Sequence, residues 1–361
     1  MQKKALALLL ALAMIFALAA CTSTPASSPT ASPAASPTAS SAASPSTAPV
    51  ASPTATPDTT MITNPAVTPL AGAGQKYKIA VSLPVANNAW QAKMLQVITD
   101  EAAKYADQAD FTIKSATSDD DQLSTLNIFK TGGYDLIIIL PGNGTLLTPV
   151  CEDIYNAGIP TVMLDRGIDS DTFTAEVKGD NYGGGVNAAN LLAEKLGDKG
   201  NIAVLRSYSG TPIDLERFNG FNDTITANYP DIHIIVQGDG QFDRDHGLSA
   251  MTNILPGYPQ IDAVYAQDDE AALGALNAIQ NAKRTDIKFI TGFGGTKDTY
   301  ALFQANDPVY IASMSYFPSF GTQGVDTAMA ILTGQPYQKE LIIPSVVVDA
   351  SNVAQYMDDA Y

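Results

Sequence analysis

The chain has 361 residues, a formal net charge of −17 and two cysteines. This strong negative charge argues against nucleic acid and anionic membrane surfaces as partners, because both carry charge of the same sign. A chain of this length has room for one large or two ordinary folded domains.

The first 21 residues have the pattern of an export signal. Lys3 and Lys4 precede an uncharged apolar run of about 16 residues, and the segment ends in "ALAAC". The run is too short and wrongly flanked for a stable membrane span. Small residues before Cys21 resemble a bacterial lipobox, in which the cysteine becomes the lipidated first residue; the alternative is ordinary cleavage near Ala20. We therefore expect a signal peptide over residues 1–20 and a lipid-anchored protein outside the cytoplasmic membrane, in the cell envelope.

A low-complexity segment follows the signal. Between residues 21 and 60, every residue except Cys21, Val50 and Asp58 is Ala, Ser, Thr or Pro, and no aromatic residue occurs between Cys21 and Tyr77. Such a segment buries too little apolar surface to offset its chain entropy, so it stays unfolded and partly extended. We predict a disordered stalk over residues 21–76.

The remaining chain alternates short β-branched runs with helical patterns. A first helical pattern extends to about Tyr105, and others are predicted near 121–131, 145–157, 182–196, 214–228, 244–255 and 269–281. The strand-like runs are "KIAVSL", "FTIKSA", "LIIIL", "PTVML", "AEVKG", "NIAVLRS", "HIIVQGD", "AVYAQ", "KFITGF", "YIASMS" and "SVVVDA". This alternation indicates βαβ units and parallel sheets. More than ten strands predict an α/β fold with two doubly wound parallel-sheet lobes, and an eight-fold barrel is the alternative.

Polar and aromatic residues follow the predicted strands, where ligands bind in open α/β sheets. A sugar matches these residues, because its C–H faces pack on aromatic rings and its hydroxyls both donate and accept hydrogen bonds. Each residue also has a structural alternative, such as helix capping, ion pairing or core packing. Cys151, the second cysteine, lies on an apolar stripe and is expected in the core. The strand-end residues are Asn88, Trp90, Asn143, Asp165, Arg166, Asp180, Asn181, Arg217, Phe242, Asp243, Asp268, Asp269 and Glu270.

Several segments are similar, in the same order, to those of one known family. They include "KIAVSLPVANNAW", "GYDLIIILPGN", "AGIPTVMLDRGI", "GTPIDLERFNGF", "QFDRDHGLSAMTNIL", "IDAVYAQDDEAALGALNAI" and "TGFGGTKD". From about residue 77 to its end, the chain thus resembles the ribose/galactose-type periplasmic sugar-binding proteins of ABC transporters. The resemblance implies the type I fold, in which a three-strand hinge joins two lobes that close on a sugar. It predicts an N-terminal lobe of residues 77–179 plus 317–340 and a C-terminal lobe of residues 180–316 plus 341–361.

The resemblance also implies a set of site residues. It predicts that the ligand-binding residues are Asn88, Trp90, Asp165, Arg166, Arg217, Phe242, Asp268 and Tyr316. Two positions depart from the family. Gly294 stands where many members carry an aspartate that accepts bonds from sugar hydroxyls, and Tyr316 or Ser315 stands where a hinge glutamine is common. These departures put ribose itself in doubt as the ligand.

The expected function is non-catalytic binding of a monosaccharide and its delivery to an ABC transporter permease. The chain has two histidines and none of the HExxH, GxSxG or P-loop motifs, so we expect no cofactor, no metal and no enzyme activity. One alternative is a sensor that signals to a receptor kinase; a more remote one is a glycoside-processing enzyme, since two carboxylates can meet in a cleft. The expected partners are a monosaccharide, a permease and a membrane reached through the lipid. We expect a monomer that binds no nucleic acid.

The lipobox generates a first prediction. Mass spectrometry of the mature protein should show a diacylglyceryl group on Cys21 as the first residue, and Cys21→Ala should release the protein from membranes into the soluble fraction. Cys151→Ala is the matched control, because it removes the other cysteine without touching the signal. An unmodified N-terminus at another residue would contradict this prediction.

Overall fold

The computed structural model describes residues 61–62 and 74–361. The signal peptide, Cys21 and most of the predicted stalk lie outside these described residues. Two residues of the stalk segment, Met61–Ile62, form a short strand instead of unfolded chain. Ile62 packs against the core, and burial of its apolar side chain stabilises the strand.

The described residues form an alternating series of strands and helices. The strands are β1 (Met61–Ile62), β2 (Tyr77–Leu83), β3 (Ala109–Ser115), β4 (Leu136–Ile139), β5 (Thr161–Leu164), β6 (Ala175–Gly179), β7 (Lys199–Arg206), β8 (Asp231–Asp239), β9 (Ala263–Ala266), β10 (Phe289–Gly294), β11 (Tyr310–Ser315), β12 (Tyr337–Gln338), β13 (Glu340–Ile343) and β14 (Val347–Asp349). The α-helices are α1 (Ala89–Lys104), α2 (Asp119–Thr131), α3 (Gly144–Asn156), α4 (Asn181–Leu196), α5 (Pro212–Asn228), α6 (Arg244–Ile254), α7 (Asp269–Asn281), α8 (Lys297–Gln304) and α9 (Gly321–Thr333).

The strands form two large sheets of similar topology. The first has the order β3-β2-β4-β5-β6-β13 and is parallel throughout. The second has the order β8-β7-β9-β10-β11-β14, and only β14 is antiparallel. Helices cover both faces of such sheets, which explains why the central strands are apolar in succession rather than alternating. The prediction of two doubly wound lobes is therefore confirmed.

The chain passes between the two sheets at three places. These crossings follow β6, β11 and β13, so each sheet contains strands from distant parts of the sequence. β13 pairs with β6 in the first sheet, in the register Ile343 opposite Gly179. Residues 341–343, which the sequence analysis placed in the second lobe, therefore lie in the first sheet, because this pairing satisfies the backbone groups along the edge of β6.

Polar N-caps begin most helices at the joints after the strands. The backbone N–H groups in the first turn of a helix have no partner within that helix. The cap side chains accept hydrogen bonds from these groups. The acidic run Asp119–Asp121 begins α2, and Ser118 caps that helix. Cys151 lies buried in α3, as expected. Within the described part of the chain, no helix combines the length and the apolar character needed to cross a membrane.

Candidate functional site

A cavity of about 400 Å³ lies beyond the carboxyl ends of both sheets. This volume is in the range of small-molecule sites. The structure brings all the predicted ligand-binding residues to its wall, from both lobes and from the hinge. They are Asn88, Trp90, Asp165, Arg166, Arg217, Phe242, Asp268 and Tyr316. Among the described residues, no group of three or more His, Cys, Asp or Glu side chains is arranged to hold a metal ion.

Tyr316 lies directly after β11, where the chain crosses from the second sheet to the first. Its hydroxyl donates to Asp165 Oδ1 at 2.7 Å, and its carbonyl accepts from the Trp90 indole at 2.9 Å. Its ring lies against Gly179 at the first crossing, where a Cβ atom would clash with the ring. Burial, together with Asp165, raises the pKa of Tyr316 well above its usual range, so the hydroxyl stays protonated as a donor. Tyr316 therefore orients Asp165 and Trp90 from the hinge.

Asn88 and Trp90 lie at the start of α1. Asn88 caps this helix, because its Oδ1 accepts from the Gln91 backbone N–H at 2.9 Å, and its amide nitrogen remains for a ligand. Trp90 stacks on Tyr316 with ring centroids 6.1 Å apart and contacts Phe320. Its N–H is already bonded, so the ring surface that borders the cavity is what Trp90 offers to a ligand.

Asp165 and Arg166 form an ion pair on the first lobe. Asp165 is 3% exposed and adopts the left-handed region, with φ of +64°. Such a conformation is unfavourable for a residue with a side chain and concentrates at functional sites. Arg166 Nε donates to Asp165 Oδ2 at 3.0 Å. The two residues therefore form a structural ion pair and also line the cavity. The pair is fixed in the cavity wall before any ligand arrives.

Arg217 lies buried in α5 of the second lobe. Its Nε donates to Asn181 Oδ1 at 2.9 Å, and its Nη1 donates to the carbonyl of Gln267. The guanidinium lies 3.8 Å from the centre of the Phe293 ring. The nearest carboxylates along its own helix are engaged elsewhere: Asp214 binds Arg206, and Glu216 accepts from Asn181. Within the described residues Arg217 thus has no salt-bridge partner, although it is 3% exposed.

Asp268 caps α7 and borders the cavity. Its Oδ1 accepts from the backbone N–H groups of Glu270 at 2.8 Å and Ala271 at 3.2 Å. Asp268 is therefore a helix cap, as one of the two alternatives for this residue predicts. Its second oxygen, Oδ2, remains available to a ligand. Burial, and then the neighbouring carboxylate of Asp269, raises the pKa of Asp268 to about 7. Asp269 itself is fully buried and accepts from Tyr310, Ser313 and the backbone of the turn after β10.

Phe242 reaches the cavity from the loop after β8. Both Gln241 and Phe242 have positive φ, +50° and +56°. This unusual turn places the Phe242 ring edge-on to Tyr208, with centroids 5.5 Å apart. Asp243 follows and caps α6. The second lobe thus contributes an aromatic ring to the cavity that Trp90 borders from the first lobe.

The cavity has further wall residues that the sequence analysis did not predict as ligand contacts. Phe293 ends the predicted strand "KFITGF" but was taken as part of that strand, and Asp243 and Glu270 were noted only as strand-end residues. Arg244 is engaged by Glu270 and Asp298, each at 2.8 Å. These additional residues are Ala89, Gln91, Ile213, Asp243, Arg244, Asp245, Glu270, Phe293, Gly294, Thr296 and Tyr361.

Two parallel-sheet lobes with a cavity between their strand ends define the class of two-lobed binding proteins. The family model described as a periplasmic binding protein domain matches residues 79–336. The ribose import binding protein of Bacillus subtilis (strain 168) is 30% identical over 275 residues, which cover 76% of this chain and 88% of that protein. The chain belongs to the periplasmic binding protein family, and its resemblance to the ribose/galactose type is confirmed.

Solved structures agree with this assignment. The fructose-binding periplasmic domain of a hybrid two-component system has 33% sequence identity and a TM-score of 0.70, covering 78% of this chain and 93% of that chain. The binding protein of the arabinose ABC transporter from Shewanella sp. ANA-3, solved with α- and β-L-arabinofuranose, has 27% identity and a TM-score of 0.70. This match covers 78% of the present chain and 94% of that one.

The position of Trp90 generates a second prediction. Trp90→Ala should weaken sugar binding by on the order of 2 kcal/mol, a typical loss for a buried aromatic anchor, whereas Trp90→Phe should retain most of the affinity because a ring remains. Calorimetry measures the affinity, and a thermal melt checks the fold. As the single tryptophan, Trp90 should also report ligand binding through intrinsic fluorescence. A much lower melting temperature with unchanged affinity per folded molecule would instead make Trp90 a packing residue.

The pKa of Asp268 generates a third prediction. A ligand hydroxyl that donates to Asp268 needs the ionised carboxylate, which with a pKa of about 7 is the minor form at pH 6 and the major form at pH 8. Sugar affinity should therefore rise about tenfold between these pH values, in proportion to the competent fraction. Asp268→Asn is the matched control, because it can still cap α7 but cannot titrate. An affinity that is independent of pH, or higher at pH 6, would contradict this role.

Proposed function

We propose that this chain binds a neutral monosaccharide between its two lobes and delivers it to the permease of an ABC transporter. The observation that carries the proposal is the cavity itself. It combines aromatic surface from Trp90 and Phe242 with the buried guanidinium of Arg217 and the carboxylates of Asp165 and Asp268. Aromatic rings suit the C–H faces of a sugar, and the charged groups suit hydroxyls that donate and accept.

The charge pattern favours a neutral ligand over an anionic one. Arg166 is paired with Asp165, and Arg244 is paired with Glu270. Arg217 is the wall arginine without a carboxylate partner among the described residues. The cavity wall as a whole carries five carboxyl side chains against three arginines, so its net charge opposes an anion. A sugar carboxylate or phosphate would therefore meet repulsion that a neutral hydroxyl avoids.

Lobe closure is the proposed response to the ligand. Wall residues come from both lobes, so one sugar that contacts both sets binds more tightly when the lobes are close together. Such a ligand favours the closed state by its differential affinity for that state. The closed form would then dock on the permease, and we propose no catalytic step. Seven of the eight predicted ligand-binding residues would contact the sugar. Tyr316 would instead position two of them, Asp165 and Trp90, through its hydrogen bonds.

The proposed location is outside the cytoplasmic membrane, with a lipid on Cys21 and the stalk as a tether. The export signal and the composition of residues 21–60 support this part of the proposal. The relatives support import, since one is a ribose import protein and another serves an arabinose transporter.

A sensor is the second candidate function. One similar structure is the fructose-binding domain of a hybrid two-component system. Uptake of radiolabelled sugar separates the two roles. If import is the role, cells without this protein should lose uptake and regain it when the wild-type gene is restored. Unchanged uptake, with lost transcription of sugar-induced genes, would favour the sensor.

The ligand class generates a fourth prediction. We expect at least one of D-ribose, L-arabinose, D-fructose and D-galactose to raise the melting temperature of the purified protein and to bind in calorimetry. D-Glucuronate and D-ribose 5-phosphate should bind at least tenfold more weakly than the best neutral sugar, a difference of about 1.4 kcal/mol. Arg217→Lys tests the source of the affinity, because it keeps the charge but loses the planar fork that binds two groups at once. Tighter binding of either anion than of every neutral sugar would overturn the neutral ligand.

A further inference from the structure

Gly294 lies in the cavity wall beside the side chain of Tyr361, a residue far away in the sequence. It ends β10 and borders the cavity, at the position where the sequence resemblance leads one to expect an aspartate. A Cβ atom at this position would lie 2.5 Å from the hydroxyl oxygen of Tyr361, so the Tyr361 side chain would have to shift to make room for it. The backbone of Gly294 has φ of +144°, a conformation that residues with side chains rarely adopt. The place of a side chain at 294 is thus occupied by the phenol of Tyr361.

The Tyr361 side chain is held in this place by its own backbone and by its neighbours. Its N–H donates to the carbonyl of Gly295, and the N–H of Lys297 donates to a main-chain oxygen of Tyr361 at 2.9 Å. The preceding Ala360 is 1% exposed within the core of the second lobe. These contacts bring Tyr361 to the turn after β10 and fix the direction from which its ring enters the cavity.

The hydroxyl of Tyr361 is available to a ligand. It lines the cavity and makes no hydrogen bond to any residue in the described part of the chain. Burial, followed by the carboxylates of Asp269 and Asp268, raises the pKa of Tyr361 well above its usual range, so the phenol stays neutral and can both donate and accept. An unpaired phenol in a cavity is costly unless a ligand or water completes its bonding.

We propose that Tyr361 is a ligand contact and a specificity determinant, which recognises one sugar hydroxyl from the cavity wall in place of a side chain at 294. This inference rests on the proposed binding of a neutral sugar. A phenol differs from a carboxylate in three respects: it carries no charge, it offers one oxygen instead of two, and it can donate. The site therefore selects a sugar with a different hydroxyl pattern from one that needs a two-oxygen acceptor at this point.

Calorimetry with Tyr361→Phe tests the inference, using the tightest-binding neutral sugar of the panel and its monodeoxy analogues. Removing the hydroxyl should weaken binding of the parent sugar by about three- to tenfold, the usual size of one neutral hydrogen bond. One monodeoxy analogue should bind the wild-type protein more weakly than the parent sugar does. Tyr361→Phe should bind this analogue and the parent sugar equally well, because the tyrosine hydroxyl that contacts the missing sugar hydroxyl is already absent. Tyr356→Phe is the matched control. It makes the same chemical change in the same segment, and Tyr356 stacks on Phe317 rather than lining the cavity.

The outcomes separate this inference from the function on which it rests. If the wild-type protein binds a sugar and Tyr361→Phe binds it within twofold, Tyr361 is no ligand contact, and the proposed function stands. Tyr361 is likewise no ligand contact if each monodeoxy analogue loses the same affinity, relative to the parent sugar, for the wild-type protein and for Tyr361→Phe. If the wild-type protein binds no sugar of the panel, both proposals fall. Thermal melts of both variants show that any loss of affinity belongs to folded protein.

Discussion

The hydrogen bonds of Tyr316 are the interaction on which the arrangement of the site depends. Tyr316 lies where the chain leaves the second sheet, yet its hydroxyl holds Asp165 and its carbonyl holds Trp90, both from the first lobe. Its ring also lies 4.8 Å from the guanidinium carbon of Arg217, which belongs to the second lobe. A single hinge residue therefore sets the positions of charged and aromatic groups from both sides of the cavity. Gly179 makes this possible, because a side chain there would occupy the space of the ring.

Two helix-capping residues of this protein also lie in the wall of the cavity. Asn88 and Asp268 each commit one oxygen to the first turn of a helix and leave a second polar atom toward the cavity. The cap fixes the side chain in one rotamer, so a ligand meets a group that is already oriented and loses little side-chain entropy on binding. The two readings that the sequence permits for Asp268, cap or ligand contact, are thus compatible.

The sequence alone supported most of the fold and much of the site. β-Branched runs and helical patterns predicted the strands and helices, because their periodicity is a local property of the chain. Strand-end residues such as Trp90 and Arg217 were predicted to converge, since all parallel strands of a sheet end at the same edge. The boundary after β13 was misplaced by three residues, because strand pairing at a sheet edge depends on a partner strand and not on the local sequence.

Tertiary structure alone decided the remaining features. Phe293 was not singled out because an apolar residue at the end of a strand-like run is most simply a core residue, and Tyr361 was not because it follows the last strand by a segment without a motif. Their places in the cavity depend on contacts between residues far apart in the chain, such as the Arg217 guanidinium over Phe293 and the Tyr361 phenol beside Gly294. The sequence by itself determined the two lobes, the sheet edges that border the cavity and the residue types there. Folding decided which polar atoms are already bonded and which remain free, because that depends on distances between elements that no local pattern encodes.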